Sequence, residues 1–191
     1  MAIIHDLPPE ELRFHWKSGR LCLDFVATVG ERWRRSFERL LGPEDLARWL
    51  VESRMLQQRP RVSERQLESG RSLREAINRL ARPSLGPEAG DRMELNRWAA
   101  RPPLAPQLTE QGELVWVHER PVEAAFATIA RDGIDLLTGP LGGRLRECAA
   151  PDCALLFVDS SRPGRRRWCA GEACGNRTRT KAYRQRRKER A

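Results

Sequence analysis

The stretch RECAAPDCALLFVDSSRPGRRRWCAGEACGNR, residues 146–177, constrains this chain more than any other part of it. Four residues separate Cys148 from Cys153, fifteen separate Cys153 from Cys169, and four separate Cys169 from Cys174. Two short-spaced thiol pairs joined by a hairpin-length connector are how a structural zinc site is usually written. Zn²⁺ takes four soft ligands in a closed tetrahedron, and each pair delivers two from one tight turn. The connector agrees: ALLFVD reads as a buried strand, SRPG as a turn, and RRRW as a returning strand. One structural zinc on Cys148, Cys153, Cys169 and Cys174 is expected; two disulfides, or four free thiols in a small core, are the alternative. The opening MAIIHDLPPEEL has an acidic start and no apolar core segment, so no secretory signal is expected. No charge-free stretch is long enough to span a bilayer. A cytoplasmic chain without membrane contact follows, and there clustered cysteines read as metal ligands before disulfides.

The charge is as unevenly placed as the cysteines. Residues 141–191 hold 14 arginines and lysines against 5 acids, which accounts for the whole formal charge of +9 in the 191-residue chain. Residues 1–140 are neutral on balance. A neutral body joined to a basic module suggests an anionic partner. Only three of the 35 basic residues are lysine, and the arginine bias runs through the neutral part too, so the charge is informative and the choice of arginine is not. After Cys174, Gly175 lets the backbone turn tightly beside the metal. From Asn176 to Arg190 there is neither glycine nor proline, which permits a helix. Its amide-rich start would face the last thiolates. At about 100° per residue, Arg177, Lys181, Arg184 and Lys188 then share a stripe, while Tyr183 on a neighbouring face can pack back on the knuckle. A solvated charge run is the alternative.

These residues resemble the CGNR zinc finger, named for the tetrapeptide that stands here as Cys174-Gly175-Asn176-Arg177. Members of that family usually carry an N-terminal ABATE region, described as a stress-induced transcriptional regulator of bacteria. GRLCLDFVATVGERW (Gly19–Trp33) and LLGPEDLARWL (Leu40–Leu50) look like its entry segment and first helix. The chain departs from the family at Ala27, where an asparagine commonly precedes the threonine, and at Arg179, where a lysine is frequent. The resemblance implies a treble-clef-like, zinc-bound module that binds DNA.

The body, residues 1–140, reads as mainly helical, so the expected class is α+β: a helix-rich domain with a small β-hairpin, followed by the finger at 141–191. Helices are expected over Pro43–Leu56, Ser63–Ala81 (with Gly70 a weak point), Pro87–Ala100 and Pro121–Leu137. Ala105–Glu119 reads as a hairpin turning near Gln111-Gly112, and Thr138–Gly143 as the joint to the finger. Leu12 to Thr28 is either a hairpin around Ser18-Gly19 or a strand running into a helix.

No enzyme is expected. His5, His15 and His118 all lie outside the finger, and four thiolates leave a metal no open position. There is no phosphate-cradling glycine motif and no nucleophile constellation. Cys22 reads as a small buried hydrophobe, and Asp24 as a cap or salt-bridge partner before a ligand-sensing group. Most of the six tryptophans are expected to face a core, and Trp168 to cover the knuckle. The expected function is a zinc-containing transcriptional regulator. Its finger would meet duplex DNA through Arg165, Arg166, Arg167, Asn176, Arg177, Lys181, Arg184 and Lys188. Its body would sense a small-molecule effector or form a homodimer. A protein–protein adaptor and an RNA-binding protein are the alternatives.

Overall fold

The helix-stop and helix-start signals in the sequence translate closely into structure. The computed structural model describes residues 7–188; His5 and residues 189–191 lie outside the described residues, as does the side chain of Lys188. Helix α2 spans Pro43–Glu52, with proline in its first turn and the Asp45 carboxylate accepting from the Gly42 amide at 3.0 Å. It stops four residues short of the expected Leu56, because Arg54 turns to φ +63°. Helix α3, Glu64–Leu80, opens with a capping box. The Ser63 hydroxyl accepts from the Gln66 amide, and the Gln66 side chain accepts from the Ser63 amide at 2.8 Å. Helix α4 covers Ala89–Ala99 and α5 covers Pro121–Thr138.

Between the sequence's two readings of Leu12–Thr28, the helix is the part that forms. Gly19 takes φ +81° and the chain enters helix α1, Leu21–Val26, so Leu40–Leu50 belongs to the second helix and not the first. Phe14–Lys17 joins no ladder. Helix α1 is only six residues long, yet Cys22, Leu23, Phe25 and Val26 are all buried. It lies against α3 and α5, and the Asp132 carboxylate of α5 accepts from the Cys22 amide at 2.8 Å near its start. Phe25 meets Trp49 of α2 at 4.9 Å between ring centroids, and Trp98 of α4 meets Phe126 of α5 edge-on at 5.0 Å. Gly70, costly in a helix interior, has a packing reason: a Cβ there would lie 2.9 Å from the Phe126 ring.

A short hairpin, β1 (Val29–Gly30) with β2 (Phe37–Glu38), is locked to α3 by a buried ion pair. Both Glu38 oxygens accept from Arg74 at 2.7 Å, and the backbone amides of Arg39 and Leu40 also donate to Glu38. With its lone pairs filled this way, the charge can sit 4% exposed. The hairpin of β3 (Ala105–Leu108) and β4 (Leu114–Val117) turns through Gly112 at φ +78°. Only Trp116 of it packs on the core, and Leu108 and Leu114 stay exposed.

The expected return of RRRW as a partner strand is corrected by the structure. Strand β6, Leu156–Val158, pairs antiparallel with β5, Leu145–Glu147, which precedes the first cysteine. Arg165–Trp168 cannot join the ladder, because its polar groups are spent elsewhere. The Arg166 amide donates to Asp159 at 2.7 Å and the Arg167 carbonyl accepts from Ala149 at 2.8 Å. Strand β6 alternates between two cores: Leu156 and Val158 belong to the body's apolar cluster, and Phe157 to a separate one around the cysteines. The Val158 amide also donates to the Ser18 carbonyl at 2.8 Å.

Asp24 is a cap, accepting from the Ser18 hydroxyl at 2.7 Å and the Ser18 amide at 3.2 Å. Burial raises its carboxyl pKa from 3.8 to about 6 despite those bonds. The folded state therefore keeps a proton that the unfolded chain releases, and stability falls as pH rises through that window. Asp24→Asn retains an acceptor for Ser18 without the charge. Relative to the parent it should gain about 2 kcal/mol by pH 7, with no gain at pH 4. Urea titrations of both proteins at the two pH values check this, and an equal effect at both contradicts it.

Candidate metal centre and nucleic-acid interface

The first thiol pair sits in the connection of the β5–β6 hairpin and the second at the entry to a helix. Cys148 directly follows β5, and its amide donates to the Leu155 carbonyl at 2.9 Å, closing the turn that also carries Cys153. Cys169 precedes a π-turn segment, Gly171–Gly175, which leads into α6, Asn176–Lys188. This order, a hairpin knuckle followed by a ligand pair at a helix start, is the treble-clef-like arrangement.

The four sulfurs all lie within 4.8 Å of one another. Cys153 and Cys169 are 3.7 Å apart, and Cys169 and Cys174 are 3.6 Å apart. A tetrahedron with Zn–S bonds of about 2.3 Å has edges of about 3.8 Å, so the cage fits the ion. The chemistry fits as well. Without a cation four adjacent thiols conflict: hydrogen bonds from Cys153 and Cys169 pull the Cys148 thiol well below its ordinary range, while the neighbouring Cys148 pushes Cys169 up. A dication resolves this by holding all four as thiolates. The surrounding groups suit the resulting negative charge. The Cys169 amide donates to Cys148 Sγ at 3.4 Å, and Arg177 Nη2 to Cys174 Sγ at 3.5 Å. Together with the closed ligand set, these contacts make the zinc structural.

The predicted cations divide into distinct groups. Arg177 and Lys181 both reach back to Asp152 in the first knuckle, at 3.1 and 3.0 Å, so one carboxylate ties the helix base to the hairpin. Asn176 accepts from Arg179. Arg184 is exposed, as are Arg186 and Arg187. Of the arginine triplet, Arg165 and Arg167 are exposed, whereas Arg166 turns inward, lying 4.4 Å over the Phe157 ring and donating to the Cys169 carbonyl at 3.4 Å. Asp159 holds this loop: its carboxyl, kept at about 2 by the Ser161 hydroxyl and the Arg166 amide, is ionised at any working pH.

Trp168 covers the knuckle as expected, packed with the cysteine cluster and 3.5 Å from where a Cβ on Gly175 would stand. Tyr183 does not pack back on it. At 59% exposure it stands clear, because beyond Lys181 α6 projects from the finger. Among the six tryptophans, most of them expected to face a core, Trp16 at 41% and Trp33 at 56% are exposed. Trp33 joins the body to the finger, donating to Glu147 of β5 and lying under the Arg82 guanidinium. Arg82, 2% exposed, also donates to the Ala154 carbonyl of the first knuckle. Neither Asp152 nor Arg82 stands out in the sequence. Asp152 follows a proline inside the knuckle, which is a turn signal and nothing more specific.

A closed four-thiolate centre on a hairpin and a helix start defines a zinc-finger protein. Two family models match in the same order: residues 19–140 match ABATE, described as a "putative stress-induced transcription regulator", and residues 144–187 match the CGNR zinc finger. The chain belongs to the ABATE family and carries a CGNR zinc finger. No curated protein matches it. Ala27, the departure from the family pattern, lines a cleft facing the finger, and its carbonyl accepts from Arg39 at 2.9 Å.

The purified chain should contain one zinc, and Cys169→Ser should contain none. Because Leu156 and Val158 are buried in the body, freeing the hairpin should also cost the body roughly 3–6 kcal/mol, on the scale of two fully buried aliphatic side chains. The body's helices should persist in circular dichroism near room temperature but melt lower. Elemental analysis and thermal melts check both, and a zinc-free parent with an ordered finger contradicts the centre.

Proposed function

We propose that the finger binds duplex DNA and that the body regulates this binding, which makes the chain a transcriptional regulator without catalytic activity. The observation that carries the reading is α6 itself. A helix of 13 residues, NRTRTKAYRQRRK, has no apolar face, and its described side chains are exposed apart from a half-buried Thr178. A helix polar all round gains nothing from packing on its own protein. Here metal coordination and Asp152 hold its base, and a projecting, basic rod suits a groove lined with phosphates.

Arg177 and Lys181 share one carboxylate, so the pair keeps a net positive charge while its direction is set. Arg184 continues the same stripe, and Arg165 and Arg167 offer further phosphate contacts from the loop before Cys169. The closed thiolate set leaves no position for a substrate at the metal, which is the basis for reading it as non-catalytic. The body's role rests on the family description. Residue 141 onward carries the entire charge excess, so the near-neutral body is poorly suited to nucleic acid and better suited to regulation.

Replacing Arg177, Lys181 and Arg184 together by glutamine should flatten the slope of log affinity against log salt on duplex DNA by roughly 2–3 units. Replacing Arg179 and Arg186, on the opposite side of the helix, should change it by less than about one unit. Fluorescence anisotropy across a salt series measures both, with duplex RNA as a parallel arm. Losses that follow only the number of charges removed would overturn the aimed helix, and tighter binding to RNA would overturn the choice of DNA.

A further inference from the structure

A cleft of about 310 Å³ opens between the body and the finger. The body supplies Ala27, Val29, Phe37 and Arg39 to its walls; the finger supplies Leu155, Ala170 and Ala173. The volume falls at the lower end of small-molecule pockets. Its charged lining is mostly self-neutralised. Arg35 pairs with Glu31 and Glu11 at 2.8 Å each, Arg32 with Glu75 at 2.8 Å, and Arg177 with Asp152 at 3.1 Å.

Arg39 is different. It is 4% exposed, and its recorded hydrogen bonds go to neutral groups: the Glu11 carbonyl at 2.8 Å, the Ala27 carbonyl at 2.9 Å and His15 Nε2 at 3.3 Å. Arginine cannot accept a hydrogen bond, so His15 Nε2 must, and the imidazole is neutral. Burial, with Arg39 and Lys17 nearby, holds its pKa down to about 4. Among the described residues no carboxylate forms an ion pair with Arg39, and burial draws the guanidinium's own pKa down to about 10. Of its five N–H donors, one on each Nη nitrogen is left without a partner among the described residues. Glu11, Glu38 and Glu31 lie near enough to favour its charge, but none bonds to it through its carboxylate. A buried guanidinium compensated only at a distance is costly to keep, and such groups in clefts mark binding sites.

The cleft's shape and chemistry select the anion. A carboxylate is planar and accepts two parallel N–H bonds from a guanidinium. Beyond Arg39 the walls combine paired charges with an apolar strip of Val29, Phe37, Leu155, Ala170 and Ala173, and the Phe37 ring lies 4.7 Å from the Arg39 guanidinium. A doubly charged phosphate needs more donors than the two free N–H groups of Arg39 supply, and Glu11, Glu31 and Asp152, which line the same cleft, oppose its second charge. We infer that this cleft binds a small organic carboxylate, its charged end at Arg39 and its apolar end between the β1–β2 hairpin and the finger. Such a ligand touches both parts at once, and Asp152 and Arg177, which orient α6, line the same space. Occupancy is therefore linked to how the finger is held; its consequence for transcription rests on the regulatory reading above.

The test uses the full zinc-loaded chain with benzoate and hexanoate as probes, and benzamide and hexanol as their uncharged counterparts. Calorimetry should find each carboxylate binding at least about tenfold more tightly than its neutral counterpart. Amide exchange should slow in two places together, Val29–Arg39 and Ala170–Arg177. Arg39→Lys, which keeps the charge and loses the fork, should weaken benzoate binding. Ala173→Leu fills the cleft from the opposite wall without touching Arg39, and should abolish binding while one zinc per chain remains. Carboxylates no better than their neutral counterparts overturn the inference. So do protection confined to the body and undiminished binding by Ala173→Leu. None of these readouts uses DNA, so this site and the DNA-binding reading fail separately.

Discussion

Coordination of four thiolates by one dication is the interaction on which the rest of this structure depends. The finger's own apolar cluster is small: Cys148, Ala150, Phe157, Cys169 and Cys174 are its buried members, with Trp168 at its edge. A group of that size does not outweigh the conformational entropy of about 45 residues, which is why modules of this kind fold around a metal. The effect does not stop at the finger. Strand β6 points Phe157 toward the metal centre and Leu156 and Val158 into the body. Period-two alternation thus makes one strand a wall of two cores.

The same coordination converts a sequence of charges into a surface with a direction. A free run of arginines would repel itself and sample many orientations. Here Gly171–Gly175 turns the chain beside the thiolates, and Asp152 takes Arg177 and Lys181 from successive turns of α6. The buried Glu38–Arg74 pair plays a comparable part in the body, fixing the β1–β2 hairpin on α3. Removing one partner of such a pair strands a buried charge, so it specifies position more than it adds stability. That hairpin forms one wall of the cleft, and Trp33 and Arg82 join its neighbourhood to the finger.

Local chemistry is legible in the sequence, and long-range pairing is not. The metal ligands can be read because zinc requires particular residue types at short, repeated spacing. Helices α2, α3, α4 and α5 can be read because prolines, Ser63 and apolar periodicity mark them residue by residue. The partner of β6 cannot. RRRW is as plausible a strand as LRE, and the choice is made by Asp159 and Ala149 capturing the backbone of Arg166 and Arg167. Tyr183 departs from expectation because a helix wheel gives a face but not how far the helix projects. The cleft is invisible for a related reason: its walls come from residues as far apart as Ala27 and Ala173. Gly70 shows the reverse, a local weakness in α3 that the Phe126 ring explains.

That the metal aims the basic helix, and does not merely stabilise the chain, is tested most directly by duplex DNA affinity. The same protein sample is measured loaded with zinc, stripped by a chelator, and refilled. Every arginine and lysine is present in each state, and the site becomes no more negative once its freed thiols are reprotonated, so charge alone predicts no loss of affinity. A helix aimed by the metal predicts that stripping lowers affinity by at least about tenfold, the scale of one or two lost phosphate contacts, and that refilling restores it. Equal affinity with and without zinc would contradict it.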